Sequence, residues 1–194
     1  MLEAAAVTKT AEQMLFGEAT LTRGPAAITL GARAARWRSR SRTSDRSGTS
    51  VPLAAEASGW RLLPSVSALL TLSDRLHLIL RRASSYRPPT AAASPGGARI
   101  LRSDRYAAWE IGVRLSPPGA HGFSGSVLLS TGRWRDVQAD VIDNSGYLSA
   151  ANVGDARILS LEMMARWQLT DEVRIDGSAT INSTSLMPRQ PGII

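Results

Sequence analysis

The sequence predicts an all-β fold, an antiparallel meander of about eight strands. Three observations carry that expectation. Apolar and polar residues alternate with period two, tight turn signals recur roughly every 50 residues, and long polar stretches separate one pair of alternating segments from the next.

In chain order, Leu15, Gly17, Ala19 and Leu21 alternate with Phe16, Glu18 and Thr20. Leu76, Leu78 and Leu80 alternate with His77 and Ile79. Further on, Ala107, Trp109, Ile111, Val113 and Leu115 share one face, while Glu110, Gly112 and Arg114 share the other. Leu161, Met163, Ala165 and Trp167 are set against Ser160, Glu162, Met164 and Arg166. The clearest segment places Val173, Ile175, Gly177, Ala179 and Ile181 opposite Arg174, Asp176, Ser178, Thr180 and Asn182. A helix would scatter either set around its circumference, so each is read as a strand. Residues 159–167 contain good helix formers, but the flanking alternation decides for a strand.

Turn signals at residues 23–25, 73–75, 116–119 and 170–172 join the strands in pairs. Polar stretches at 41–59, 87–103 and 143–155 lie between the pairs and read as loops. Short turns at one end and long loops at the other is how bacterial outer-membrane barrels are organised. Strands of roughly 9–11 tilted residues suffice to cross the bilayer. The expectation is therefore a transmembrane β-barrel. A soluble β-sandwich or solenoid is the other reading of the same alternation.

Composition limits the chemistry. The 194 residues include no cysteine, which removes disulfides and thiolate sites, and only two histidines, His77 and His121, set far apart. Asp140, Asp143 and Asp155 lack the acidic repeat and fixed glycine of a calcium loop. No Ser/His/Asp order with supporting context and no glycine-rich phosphate loop is present. The expectation is thus no catalytic residue, no cofactor, no metal and no enzyme. The formal net charge is +7, and Lys9 is the sole lysine. That balance suits nucleic acid, an anionic membrane surface or an arginine-favouring coding bias, and composition does not choose among them. No apolar run reaches the roughly 18–20 residues of a membrane-spanning helix. The first ten residues fail as a signal peptide, with Glu3 early, no basic start and a short apolar run broken at Lys9.

Several strings, in order, carry a resemblance. They are LFGEAT at 15–20 followed by a turn and ITLGAR at 28–33, SYRPP at 85–89, SDRYAAWEIG at 103–112, RWRDVQ at 133–138, and NVGD at 152–155 with SLE at 160–162. In that order and spacing they resemble the C-terminal β-barrel region of TonB-dependent outer-membrane receptors. The resemblance implies the bacterial outer membrane as location and import of a scarce ligand, such as a ferric siderophore carrying iron. Its partners would be a plug domain, the TonB energy-transducing complex and lipopolysaccharide, with no nucleic acid. The family's plug, TonB box and closing terminal aromatic have no counterpart in these strings. What the resemblance implies is therefore a fragment, part of a large transmembrane β-barrel: an irregular segment over 1–11, partial barrel over 12–186 and a truncated loop over 187–194. Such a fragment is not expected to transport alone. A different class of reading is a small complete barrel of eight strands, structural or adhesive, since eight strands do close. A soluble basic β binding module is the third.

Side chains are assigned by face. Glu18, Arg33, Glu110, Arg114, Glu162 and Arg166 are expected to face the lumen, as ion pairs that keep the interior wet or as part of a ligand path, because charge on the lipid face is costly. Arg36, Arg38 and Arg40 share one parity at the loop end of their strand, with Arg42 and Arg46 following. They are candidates for lipopolysaccharide phosphates, with a solvated arginine–serine loop as the plain alternative; nucleic-acid binding, the third reading, would want interleaved aromatics, and only Trp37 is available. Trp109, Trp134 and Trp167 are candidates for the aromatic girdles at the membrane boundaries.

Overall fold

The computed structural model describes residues 5–44, 50–94, 97–117, 119–142, 146 and 148–188; within strands, the side chains at 5–7, 41–44, 50–55, 91–94, 97–99, 148–149 and 188 are not described. Ten strands follow one another: β1 (Ala5–Arg23), β2 (Ala26–Ser44), β3 (Ser50–Thr71), β4 (Leu76–Arg87), β5 (Ala91–Ser94), β6 (Gly97–Ile100), β7 (Asp104–Leu115), β8 (Gly122–Ile142), β9 (Leu148–Gln168) and β10 (Arg174–Pro188). Eight form one antiparallel sheet in the order β1-β2-β3-β4-β7-β8-β9-β10, and β5 pairs with β6 as a separate hairpin. All helix formers in residues 159–167 lie in β9, as alternation required.

Local chemistry fixes the tight turns. Gly24 sits at φ 54°, where a Cβ would be strained. In the β3–β4 turn the Ser73 hydroxyl accepts from the Leu76 N–H at 3.1 Å. Thr170 does the same for the Val173 N–H at 3.0 Å in the β9–β10 turn. Pro118, expected at the third turn, between β7 and β8, lies outside the described residues.

Two adjacent rows of paired residues define the sheet. One runs Leu21–Ile28–Ala68–Leu80–Ile111–Leu129–Leu161–Ile181 across all eight strands. The next, one residue along each strand, runs Thr20–Thr29–Ser67–Arg81–Glu110–Ser130–Ser160–Asn182. A single residue step thus converts an entirely apolar row into an entirely polar one. The first row lies two residues from the end of β1, three from that of β3, four from that of β7 and seven from that of β9. This progressive stagger is the shear that tilts strands in a barrel.

Curvature follows from the small hairpin. The β5–β6 hairpin lies against β1, β2 and β3 and also against β9, which it can reach only across the concave side. Buried strand residues share the parity of the polar row: Ala35, Trp37, Ser39, Leu63, Asp104, Ala108, Ala156 and Ser160. The concave side, where side chains converge, is therefore the polar-row side. It also holds an apolar patch, Leu69, Ile79 and Leu128 around Gly112, so it is not uniformly polar. The convex side is apolar and open, with Leu21 72%, Leu30 61%, Leu129 44% and Ile181 61% exposed.

Two expectations need correction, and one alternative reading is set aside. The long polar stretches are not simple loops, because β2 and β3 continue pairing through Ser41, Ser50 and Gly59, and β9 begins at Leu148. Beyond the apolar band both strand faces are polar, and water tolerates that without breaking the ladder. Strands accordingly reach 22 residues, about twice the length that membrane crossing requires. Strand structure also reaches back to Ala5, because residues 5–13 pair along the arginine-rich end of β2. Finally, β1 and β10 are not hydrogen-bonded to each other, so the described sheet is not a closed barrel of eight strands.

Candidate functional site on the concave face

The best-organised polar cluster ties the ends of the 88–103 loop to β8 and β9. A bulge in β8 at Trp134–Gln138 turns three successive residues, Asp136, Val137 and Gln138, into buried positions. Asp136 takes φ 54° there, a left-handed conformation that Asp tolerates better than most residues. The Gln138 amide donates to the carbonyls of Pro88 at 3.3 Å and Arg102 at 2.8 Å, while its oxygen accepts from the Thr90 hydroxyl at 2.9 Å. Asn152 accepts from the Arg102 N–H at 2.8 Å and donates to the carbonyls of Arg102 and Asp136. Asp104, almost fully buried, accepts from the Arg87 N–H and pairs with its guanidinium at 2.9 Å.

Asp155 supports the bulge from the neighbouring strand. Its carboxylate accepts from the Asp136 N–H and from Arg133, both at 3.1 Å. Asp155 lies beyond the apolar band, and the Asp136 N–H, followed by the Arg133 guanidinium, holds its carboxyl below the usual range. The strings SYRPP, SDRY, RDVQ and NVGD are thereby gathered into one network from four parts of the chain. Its product is a β5–β6 hairpin held across the hollow of the sheet.

The charged residues expected on the lumen side lie on the concave parity. Glu110 pairs with Arg81 at 3.8 Å, and Arg166 with Asp176 at 2.6 Å, the latter also held by Arg174. Among the described residues Glu18, Arg33, Arg114 and Glu162 make no ion pair, so these six do not form one network. Asp176 and Arg81 complete the pairs, and cross-strand register rather than sequence spacing brings them in. Glu12, which receives the Tyr86 hydroxyl, belongs to the same face.

The tryptophans divide. Trp109 and Trp167 stand on the convex face, half exposed. Trp134 does not join them: it pairs with Tyr106 on the concave face, edge-on at 6.5 Å, with the Arg87 guanidinium 5.8 Å from its ring. The parity was legible, because Trp134 is an odd number of residues from Leu129 in the same strand. Trp60, convex and 72% exposed, is a further tryptophan of the outer face that sequence reading missed. Trp37 is buried over Gly59 on the concave side. Arg36, Arg38 and Arg40 project from the convex side beyond the band. The side chain of Arg42 is not described, and Arg46 lies outside the described residues.

His77 meets Thr71, and His121 meets Asp171 at 3.0 Å, so the two imidazoles serve separate turns. Among the described residues no cluster of three metal-ligating side chains occurs. No helix is long and apolar enough to cross a membrane, which leaves crossing by strands untouched.

Known structures share this architecture. The ferric yersiniabactin uptake receptor FyuA from Yersinia pestis superposes with TM-score 0.78 and 17% identity over 96% of this chain and 28% of that one. The copper transporter OprC gives 0.74 and 18% identity over 92% of this chain and 30% of its own. The ferric citrate transporter FecA, unliganded, gives 0.70 and 18% over 97% and 28%. The chain thus spans under a third of the length of these proteins. A search of curated proteins finds no match. The family model described as TonB dependent receptor-like, beta-barrel matches residues 4–190. That family consists of outer-membrane receptors and transporters rather than enzymes, and this chain belongs to it.

Proposed function

We propose that this chain forms part of the wall of an outer-membrane passage that imports a scarce ligand, of which a ferric siderophore is the type. In the intact receptor the plug domain gates the passage and the TonB complex supplies the energy. One observation carries the reading: the sheet is inverted relative to a soluble one. Its apolar rows are open on the convex side, while its polar rows are crowded on the concave side. In water the convex face would be a hydrophobic patch far beyond the few hundred Å² a soluble monomer tolerates. In lipid it is the correct surface, and the hollow behind it can stay hydrated.

The named lumen-side charges, Glu18, Arg33, Glu110, Arg114, Glu162 and Arg166, would keep that hollow wet, with the hairpin across it narrowing the path. The wall itself performs no chemistry. Import should therefore need a gate and an energy source in addition to this sheet. The test is growth on a ferric siderophore as sole iron source, in a host stripped of its own receptors. The chain alone should give no uptake; the chain joined to a plug and complementary strands should give uptake that disappears when TonB is deleted. Uptake that persists without TonB would sink the reading.

A further inference from the structure

The ladder between β3 and β4 stops short. It runs from Thr71–His77 to Val66–Arg82 and no further, although β3 stays paired with β2 back to Ser50 and β4 stays paired with β7 as far as Arg87. Among the described residues no other strand fills the gap, since β6 is hydrogen-bonded only to β5. Pro64 sits where the break begins. The register would set it opposite Ser84, but a proline has no N–H to give, and the Ser84 hydroxyl instead meets the Pro64 carbonyl at 2.9 Å. That carbonyl faces the gap. By alternation the backbone groups of Leu62 and Trp60 face it too, with those of Ser84 and Tyr86 opposite. The wall is therefore slotted between β3 and β4.

Tyr86 crosses that slot. It shares the parity of Leu80 in an unbroken ladder, which assigns it to the convex side, yet its hydroxyl donates to the carboxylate of Glu12 on the concave side of β1. We propose that residues 83–87 are a two-position strand end, held off β3 by the Tyr86–Glu12 bond and able to zip onto β3 in the register that Val66–Arg82 sets. Zipped, Tyr86 would stand opposite Leu62 with its ring turned out on the convex face, and the slot would close. Pro64 keeps this closure reversible, because the Pro64–Ser84 pair would hold one hydrogen bond instead of two. Two orphaned donors on the concave side fix what Glu12 does once released. The Trp37 indole N–H and the Arg61 Nε are buried without a partner; Trp37 stands opposite Glu12 and Arg61 diagonally from Trp37. Latched, Glu12 serves Tyr86 and leaves them unmet; zipped, its carboxylate is free to take them. Each position satisfies groups that the other leaves bare, as a two-state element requires. Lipid cannot satisfy backbone groups, so the slot is wet when open and sealed when zipped, a side opening between the hollow and the outer face.

The full 194-residue chain, folded in detergent micelles, would be followed by residue-resolved amide hydrogen exchange, with the Trp37 indole N–H observed alongside. In the native chain the Leu62 and Tyr86 amides should exchange freely. Tyr86→Phe removes only the hydroxyl and should slow both positions about tenfold or more, the worth of one net hydrogen bond, and the Trp37 indole should slow with them. Pro64→Ala restores the missing donor without touching the latch and should slow the same two amides. Both effects are gains of protection, which a misfolded variant cannot imitate. Protection already present in the native chain overturns the slot, and exchange that is unchanged or faster in Tyr86→Phe overturns the latch. An indole rate that does not move overturns the part given to Glu12, and no gain in Pro64→Ala overturns the part given to the proline. Failure of ligand import in cells would leave these rates unchanged, so the two readings fail separately.

Discussion

The backbone N–H of Asp136 donates to the carboxylate of Asp155 at 3.1 Å, across the one place where the β8–β9 ladder loses its register. The bulge turns that N–H out of the ladder, and Asp155 replaces the carbonyl it would otherwise have met. Removing the carboxylate with Asp155→Ala takes this acceptor from the Asp136 N–H and its ion-pair partner from Arg133. The expected loss is about 1–3 kcal/mol of stability, read from urea unfolding in micelles.

The same contact gives a pH signature. The folded carboxyl titrates below its unfolded value of about 3.9, so its contribution is complete above that pH and disappears as pH falls through the folded value. The native chain should therefore lose stability below about pH 4 more steeply than Asp155→Asn, whose amide does not titrate there. Parallel pH profiles for the two would remove Asp155 from this account.

Gln138 holds both ends of the loop that carries the β5–β6 hairpin. Gln138→Leu takes the side-chain donor from the carbonyl of Pro88 and one of two from that of Arg102, which keeps Asn152, while the long strands keep their own pairing. Amide exchange over residues 88–103 should rise well before exchange in β8 and β9 changes. Uniform acceleration throughout the sheet would show instead that Gln138 supports the whole fold.

Leu129 and Ser130 test the faces directly. They are neighbours in β8, in the apolar and polar rows respectively. Leu129→Arg puts a charge toward lipid and should cost roughly 2–4 kcal/mol of folding into vesicles, whereas Ser130→Arg should cost far less. Equal penalties would mean that the convex side does not meet lipid.

Strand existence and facing were legible because alternation is a local property, written in each segment whatever its neighbours do. The eight meander strands and their tight turns follow from that and from turn residues such as Gly24 and Asp74. Strand ends were not legible. Residues 41–44 and 50–59 are polar enough to be a loop, yet they pair, because a partner strand with matching length lies beside them. The β5–β6 hairpin escaped for the same reason, its alanines and glycines giving no periodic signal.

By itself, then, the sequence determined which side chains share a face, since successive residues of an extended chain must point in opposite directions. It did not determine how far the strands run, which charges meet, or what Gln138, Asn152 and Asp155 hold. Those were decided only by the tertiary structure, because they depend on register between strands far apart in sequence and on the bulge at Asp136. A one-residue slip would have kept every alternating segment and paired Glu110 and Arg166 with different partners.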